Sequence, residues 1–598
     1  MIAILRAGVG VGTAEVRRGH GTGRPTFDAC EARRDGMPVS NARWSVERTQ
    51  DRAVTGRGPG IRTRGLTPKS DGGSAGGTCS RTVSAQPWRP DALAMSGLPV
   101  CCRAPPPDHC LVPTICNTAL KAADGGPPMP SPSHLTLAVS PDGHFFRGGD
   151  GRPLFLLADT AWLLFTNLDL NEADRYLADR AGKGFAGVQA CVFRDLHETN
   201  APNVAGVRPF ASEEDLRAVR MNPDWIAHVR AVVRRAEARG LVVMLLPTWG
   251  DKWNEHSNSV GPVIMDREGA RGYGRFLSDA MGDHPNVVWV LGGDSPIQTP
   301  HHAAVMRAMA EGLRAGRSAD KLVTFYPTGL GSSEIFHAEP WLDFNALQTG
   351  HYKPNVPGYV YVERLFRALP PKPVMDMEAN YEGAGMFVMC ERTERNTFRT
   401  AHLPWLPRFT AYDTRKALWR TALAGAAGFS YGHDAVRQLH RPGDRVHAYE
   451  DADCLPWWEG MAAPGASQVA LAARVLADRA PETRRPAQEL FRPVLQAGAW
   501  PDRLAVGLPF AGQRNEDPAA RVSVMATDTS VLAYAPVRTM MTLDTSGLPE
   551  GPLRVSVIDP ETGEATRVHE RANGGEVRIV PDRDLDAVVA IDAAAAVG

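Results

Sequence analysis

From Phe145 onward, short apolar runs alternate along the chain with longer amphipathic segments. The clearest amphipathic segment extends from Trp225 to Gly240, where the apolar side chains recur at helical spacing and Gly240 ends the pattern. Alternation of this kind predicts βα units and a parallel sheet. The predicted strands are 153–159, 185–193, 241–249, 287–294, 322–327, 344–350, 373–378 and 428–433.

These eight apolar runs, each followed by a helical segment, favour a closed barrel over an open doubly wound sheet. No GxGxxG follows the first run, as a dinucleotide-binding sheet would require. Beyond about residue 490, runs such as VSVMAT, SVLAYAP and AVVAID are separated by turn signals. The predicted fold class is therefore α/β: a (β/α)8 TIM barrel over 140–485, followed by a small all-β sandwich domain over 490–598.

Residues 1–128 differ from the rest of the chain. They carry 15 Arg and 2 Lys against 10 acidic residues, which gives a charge of +7, and they show no sustained periodicity. Six of the nine cysteines lie here, without the paired spacing of a metal site or a disulfide framework. We expect a disordered or spurious leader, with the true start near Met129.

The overall composition excludes several classes of partner. The chain of 598 residues has a formal charge of −1, with 43% hydrophobic and 22% charged residues, so no global attraction to nucleic acid is expected. An apolar run long enough to span a membrane is missing, and the start lacks the pattern of a secretory signal. We expect neither a nucleic acid nor a membrane partner and a cytoplasmic location; the pattern leaves the oligomeric state open.

Polar residues that end the apolar runs are the candidates for chemistry, because a barrel of this type carries its active site at the carboxyl ends of its strands. VVWVLGGD ends in Asp294, and PVMDME ends in Glu378. Strand alternation puts Asp294 on the face of Val288 and Val290, and Glu378 on the face of Val374 and Asp376. We therefore expect both acids at the barrel axis, where glycoside hydrolysis needs two carboxyl groups. Gly292 and Gly293 are expected to leave room there for a sugar.

Other strand ends supply candidate substrate-binding residues, namely Asp159, Trp162, Trp249, His351, Tyr381 and His433. Trp162, His351 and His433 fit a packing role equally well, and Trp253 is an alternative to Trp249 in lining the pocket. Glu382 is expected to shape its loop, and Asp376 to lie one layer deeper than Glu378. Metal-dependent hydrolysis is disfavoured because neither His-x-His after the first strand nor HExxH occurs. No metal and no cofactor are predicted.

Five motifs in order carry a family resemblance: GRPLFLLADTAWLLF, LLPTWGDKW, PNVVWVLGGD, PVMDMEANYEG and RKALWRTALAGAAGFSYGHD. From Phe145 to Arg479 the chain resembles glycoside hydrolase family 140, the apiosidase-like family. The resemblance implies a retaining, exo-acting glycosidase for a plant-derived oligosaccharide or glycoside, with Asp294 as acid/base and Glu378 as nucleophile. Other members of the wider clan end strand four with Asn-Glu, where this chain has Gly-Asp. The sandwich, with ATDTSVLAYAP, resembles a domain named for collagen binding, a name that we take only as a label.

The alternative interpretation is a catalytically inactive carbohydrate-binding protein on a barrel scaffold. Both interpretations predict a carbohydrate partner. Turnover of an aryl glycoside distinguishes them, because only the enzyme releases the aryl alcohol.

Overall fold

The structure of the chain is a computed structural model. It describes residues 3–6, 11–14, 135–194, 199–255, 261–350, 355–392, 398–402, 407–444, 454–479, 481–492 and 520–593. The chain divides into two units, Met1–Asn117 and Thr118–Gly598. The first is described only by the antiparallel strands Ala3–Arg6 and Val11–Ala14, so most of the predicted leader lies outside the described residues.

Eight parallel strands form the barrel of the second unit, and numbered along the chain they pair in the order 5-4-3-2-1-8-7-6. The barrel closes between the fifth and sixth strands, where Asp343 N donates to Val323 O at 2.8 Å and Thr324 Oγ1 donates to Phe344 O at 2.7 Å. All eight predicted strands are confirmed, with ends that differ by a few residues. They are β1 Leu156–Thr160, β2 Gly187–Cys191, β3 Val242–Leu246, β4 Val287–Gly292, β5 Val323–Tyr326, β6 Asn345–Gln348, β7 Val374–Glu378 and β8 Gly428–Tyr431.

Helices lie on the outside of the strands. The predicted amphipathic helix begins where the Asn222 side chain accepts from Asp224 N and ends before Gly240, whose φ of 75° is left-handed. The α-helices are α1 Leu164–Asn167, α2 Leu170–Lys183, α3 Glu213–Arg217, α4 Pro223–Ala238, α5 Arg267–Ala280, α6 Pro300–Ala315, α7 Gly358–Phe366, α8 Ala411–Leu423, α9 Asp434–Arg437, α10 Trp457–Gly460 and α11 Pro464–Ala477. Short 3-10 turns cover Gly250–Lys252, Ser333–Phe336, Pro481–Thr483 and Gln488–Leu490.

Additional short strands lie before the first barrel strand and between later ones. Gly331–Ser332 pairs antiparallel with β6, and Phe387–Arg392 pairs with Phe398–His402 between β7 and α8. Ala138–Val139, Phe146–Arg147 and Pro153–Leu154 form a three-stranded antiparallel sheet before β1. Within the described residues, no helix has both the length and the hydropathy needed to cross a membrane.

The barrel has an inner and an outer apolar layer. Val288, Val290 and Met375 belong to the inner cluster, whereas Val287, Trp289 and Leu291 pack outward against the helices. The inner cluster also contains side chains from the segment before β1, which fill the barrel at the amino ends of its strands. These are Leu135, Leu137, Phe145 and Phe146, all at most 7% exposed.

The carboxyl-terminal part is a sandwich of two antiparallel sheets with its own core. The runs predicted from sequence are confirmed as strands, and an additional edge strand, β13, contains the charged sequence ATRVHERA. The strands are β9 Ser523–Ala526, β10 Ser530–Ala535, β11 Met541–Asp544, β12 Pro552–Ile558, β13 Ala565–Ala572, β14 Glu576–Ile579 and β15 Ala587–Ala593, with the short strands Arg485–Pro486 and Phe491–Arg492 at the sheet edges.

Barrel and sandwich share a buried contact along α8. The Arg415 guanidinium is 2% exposed in its side chain and binds the fully buried Asp586 carboxylate through Nε and Nη2, at 2.7 and 2.8 Å. Tyr534 donates to the same carboxylate at 2.9 Å, and its ring stacks on Trp419 with 6.0 Å between centroids. Apolar side chains of both parts belong to one cluster, so the sandwich is part of the barrel's packing.

Candidate active site

Asp294 lies in a left-handed turn at the end of β4. Gly292, Gly293 and Asp294 have φ values of 98°, 94° and 56°, a region that glycine adopts without strain and other residues seldom adopt. A Cβ at Gly292 would lie 2.3 Å from Tyr326 O, and one at Gly293 would lie 2.8 Å from Thr248 O. The two glycines therefore allow close backbone approach to the neighbouring strand ends, which corrects the expectation that they leave room for a sugar.

The Asp294 carboxyl group is enclosed by side chains and backbone from β2, β5 and β6. It accepts from the Gln348 amide, the Thr328 hydroxyl and the Gly329 backbone N–H, and the Arg194 guanidinium is near enough to interact with its charge. Burial has the largest effect and raises the pKa of Asp294 to about 6. A carboxyl group with this pKa can carry a proton or release it near neutral pH.

Glu378 reaches the same region through an irregularity in β7. Leu347 of β6 pairs with Asp376, but the next residue, Gln348, pairs with Glu378, so β7 has one extra residue. Such a bulge reverses the alternation of side chains beyond it. Before the bulge, Val374 packs outward against α7 and Met375 and Met377 pack inward. The expectation that Val374, Asp376 and Glu378 share one face is therefore wrong, although Glu378 does reach the axis.

The Glu378 carboxyl group is 5% exposed and faces Asp294. Burial and then the charge of Asp294 raise the pKa of Glu378 to about 8, while a hydrogen bond from Tyr381 and the charges of Arg437 and Arg194 oppose the rise. The pKa of both acids is thus raised, and that of Glu378 is the higher of the two. Two interacting carboxyls titrate as a pair, and between the two pKa values the pair holds one proton.

Two arginines that sequence reasoning did not select lie beside the pair. Arg194 follows β2, is 7% exposed, and its Cζ lies 3.4 Å from the centroid of the Trp249 ring. Arg437 ends α9, forms an ion pair with Asp434 at 2.6 Å, and lies 5.4 Å from the centroid of the Tyr381 ring. Arg194 ends an apolar run in the same way as Asp294, so the strand-end rule could have identified it.

Buried aromatic side chains form the floor beneath the carboxyls. Trp162 Nε1 donates to Tyr381 OH at 3.2 Å, and the Trp162 ring meets Trp249 and Tyr326 edge to face, at 5.0 and 5.3 Å between centroids. Trp162, Trp249 and Tyr381 are therefore brought together, as predicted for residues lining one site. The guanidinium of Arg194 covers one face of Trp249, so that face is not open for stacking on a sugar.

Asp159 is placed away from this floor. Its carboxylate is fully buried on the outer face of β1, where Arg180 Nε lies at 3.0 Å and Tyr176 OH donates at 2.7 Å. Both partners belong to α2. The predicted substrate-binding role of Asp159 is corrected accordingly, because the side chain connects the strand to its covering helix.

His433 has a packing role in the structure. Its Nδ1 accepts from Ala435 N at 3.2 Å at the start of α9, and burial lowers the pKa of the ring to about 4. A Cβ at Gly383 or Gly460 would lie within 3.0 Å of the ring, which fills the space between these glycines. His433 is thus held by its loop and helix.

The remaining candidates are placed as follows. Trp253 packs outside the barrel and donates to Gly292 O at 2.8 Å, whereas Trp249 lies in the inner cluster beside Trp162. Glu382 accepts from Tyr431 OH and from Gly465 N, as expected for a residue that shapes its loop.

His351 lies outside the described residues. Among the side chains that the structure does describe, no three His, Cys, Asp or Glu could hold a metal ion.

The arrangement can transfer a proton and stabilise a developing positive charge. One proton is shared by the two interacting carboxyls, so one group can act as an acid while the other stays anionic. The neighbouring guanidinium groups keep the anionic form accessible despite burial. These are the requirements of acid/base-assisted substitution at a carbon that develops positive charge.

Comparison with known proteins agrees with this chemistry. Residues 140–481 match a family model described as "Apiosidase-like, catalytic domain". A solved structure named "Glycoside hydrolase" is 23% identical, with a TM-score of 0.64 over 77% of this chain and 97% of that one. A glycoside hydrolase family 5 protein from Bacteroides vulgatus ATCC 8482 is 23% identical, with a TM-score of 0.65 over 77% and 94%. At this identity the two structures show a shared fold. No curated protein matches the chain.

Proposed function

Because the chain belongs to the apiosidase-like family of catalytic domains and is thus a glycosidase, we propose that it cleaves its glycosidic bond with retention of configuration, using Glu378 as nucleophile and Asp294 as acid/base. The observation that carries the proposal is the convergence of these two carboxyls, which lie near enough for the charge of Asp294 to act on Glu378. Since the two acids come from strands on opposite sides of the barrel, a sugar at the mouth would have one carboxyl on each side.

In the first step, Asp294 gives its proton to the leaving oxygen as the glycosidic C–O bond breaks, and a Glu378 oxygen bonds to the anomeric carbon. In the second step, Asp294 takes a proton from water, whose oxygen displaces Glu378 from the carbon. Both carboxyls then return to their initial states. In the free protein Glu378 has the higher pKa of the two, about 8 against about 6 for Asp294. The step therefore requires the proton to move to Asp294, and positive charge developing on the sugar favours this by stabilising the Glu378 anion.

The surroundings support a small sugar unit at the reacting position. Trp162, Trp249 and Tyr381 are each at most 4% exposed, so the floor offers polar edges and little free aromatic surface. A confined floor suits exo-action on a terminal residue of a plant-derived oligosaccharide or glycoside. The Tyr381 hydroxyl, which contacts both Trp162 and Glu378, would hold the nucleophile in place.

The test is a panel of p-nitrophenyl glycosides with the full chain, followed by variants on whichever glycoside is hydrolysed. Glu378→Ala should abolish turnover. Asp294→Ala should lower the rate on the order of 10²–10⁴-fold for a poor leaving group and much less for an activated aryl group. Azide should rescue Asp294→Ala and yield a glycosyl azide. Glu311→Ala, in an exposed ion pair with Arg271, is the control that should retain activity.

Proton NMR of the first product decides the stereochemistry, because retention gives the substrate's anomer before mutarotation. An inverted product would refute the nucleophilic role of Glu378. Binding of oligosaccharides without turnover of any glycoside would instead support the carbohydrate-binding alternative.

A further inference from the structure

Asp376 is a buried carboxyl group that the proposed reaction does not use. It is fully buried in β7, two residues before Glu378. None of the ion pairs among the described residues includes it, and its Oδ2 accepts from Thr349 Oγ1 at 3.0 Å. Thr349 directly follows Gln348, whose amide binds Asp294. The carboxyl group therefore connects β7, which carries Glu378, to the segment whose Gln348 binds Asp294.

The bonds around Asp376 fix the bulge on all sides. Gly350 N donates to Glu378 O at 2.7 Å, so β6 and its extension hold the end of β7. From across the barrel, Gln189 Nε2 donates to Met377 O at 2.8 Å. Each of the residues 376–378 thus has at least one bond from outside its own strand, at the point where the register shifts.

A carboxyl group suits this position better than an amide. The backbone N–H groups of Thr349 and Glu378 are directed at Asp376 and lower its pKa, against burial, which raises it to about 7. An asparagine that kept its oxygen toward Thr349 Oγ1 would place its NH2 group at the position of Oδ1, which is buried without a hydrogen-bond partner. An unpaired buried donor is costly.

We infer that Asp376 is a positioning residue, which holds Thr349 and thereby fixes the bulge that turns Glu378 toward Asp294. The expected effect on the rate of glycoside cleavage rests on the proposed function, whereas the expected effect on the pairing of β6 with β7 does not. A buried acid with a purely structural role would affect stability when it is changed, without separating kcat from KM.

Thr349→Val removes the hydroxyl donor with little change in volume, and Thr349→Ser restores it. Thr324→Val is the matched control, since Thr324 is fully buried in β5 and its hydroxyl donates to Phe344 O at 2.7 Å, away from the bulge. On the aryl glycoside that the intact chain hydrolyses, Thr349→Val should lower kcat on the order of 10–100-fold with little change in KM. Thr349→Ser should recover most of the rate, and Thr324→Val should lose stability but not kcat.

Crystal structures of Thr349→Val and Asp376→Asn provide the second measurement. We expect Gln348 to pair with Met377 in a regular register, or Glu378 to occupy a second orientation. An unchanged bulge with Glu378 in place would overturn the inference, whatever the rates. So would a changed register with kcat unaltered. If the intact chain hydrolyses no glycoside, the proposed function fails and the register alone decides whether Asp376 holds the bulge.

Discussion

Replacing Glu378 with Gln should stabilise the protein, and increasingly so as the pH rises. The folded chain holds this carboxyl at a pKa of about 8, against an ordinary value of 4.5. Between these values the folded state binds more protons at Glu378 than the unfolded state does. The contribution of this group to the free energy of unfolding is therefore greatest below about pH 4.5 and is lost as the pH rises through 8. A glutamine is neutral at every pH, so the variant does not lose this stability as the pH rises.

The expected gain follows from the same two values. At about 1.4 kcal/mol for each pH unit, the variant gains less than about 1 kcal/mol at pH 5, about 3 kcal/mol at pH 7 and about 4 kcal/mol at pH 8. These are upper limits, because the folded structure can relax around the ionised group. For a folded part of about 450 residues, 1 kcal/mol corresponds to about 1 °C in Tm.

The assay is thermal unfolding of the full chain and of Glu378→Gln at pH 5 and at pH 8. We expect nearly equal Tm values at pH 5 and a Tm higher by about 3–4 °C for the variant at pH 8. Glu311→Gln, in the exposed pair with Arg271, should change Tm little at either pH. An equal shift at both pH values, or a lower Tm at pH 8, would refute the reasoning, since a buried carboxyl with a raised pKa has to lose stability on ionising.

Two further predictions concern the fold. Arg415→Met leaves the Asp586 carboxylate buried without its guanidinium partner, so we expect a loss of about 3–5 kcal/mol in urea unfolding. Arg271→Met, from an exposed pair, should cost less than about 1 kcal/mol, and equal effects would show that the α8 contact is not a buried ion pair. A chain that starts at Met129 should melt like the full chain, whereas one that starts at Gly148 loses the apolar side chains filling the barrel at the amino ends of its strands and should melt several degrees lower. Equal Tm values for the two shortened chains would contradict the second half of this prediction.

The strands and their order could be predicted from sequence because burial on both faces leaves a simple signal. Runs such as VVWVLG contain no polar residue, and each is followed by a helix. The same reasoning selected Asp294 and Glu378 as candidate catalytic residues, because nothing in an apolar run offers a partner for the carboxylate that ends it. It also selected Asp159, whose partners on α2 are separate in sequence and give no signal at the strand.

The orientation of side chains at the mouth could not be predicted in the same way. The alternation of side chains along a strand predicts their direction only while the pairing register is regular. Nothing in the sequence DME indicates the bulge before Glu378. The partners of the acids were missed for another reason. Gln348 becomes a neighbour of Asp294 only through the closure of the barrel between β5 and β6. Arg437 reaches Glu378 from the helix after β8, the strand that pairs with β7.

The two candidate catalytic acids share a feature that explains why they are held where they are. Each lies at a departure from regular strand geometry: Asp294 in a left-handed turn and Glu378 after a bulge. Both departures and the burial of two interacting carboxyls oppose stability, and such features persist only when the surrounding packing fixes them. Here the surrounding packing is a barrel filled by apolar side chains at one end and supported by the sandwich along α8. Since the costs are concentrated at the site, a substitution that relieves one of them should stabilise the fold while it removes the chemistry. Glu378→Gln is the sharpest case, because the change that should raise Tm at pH 8 is also the change that should abolish glycoside turnover.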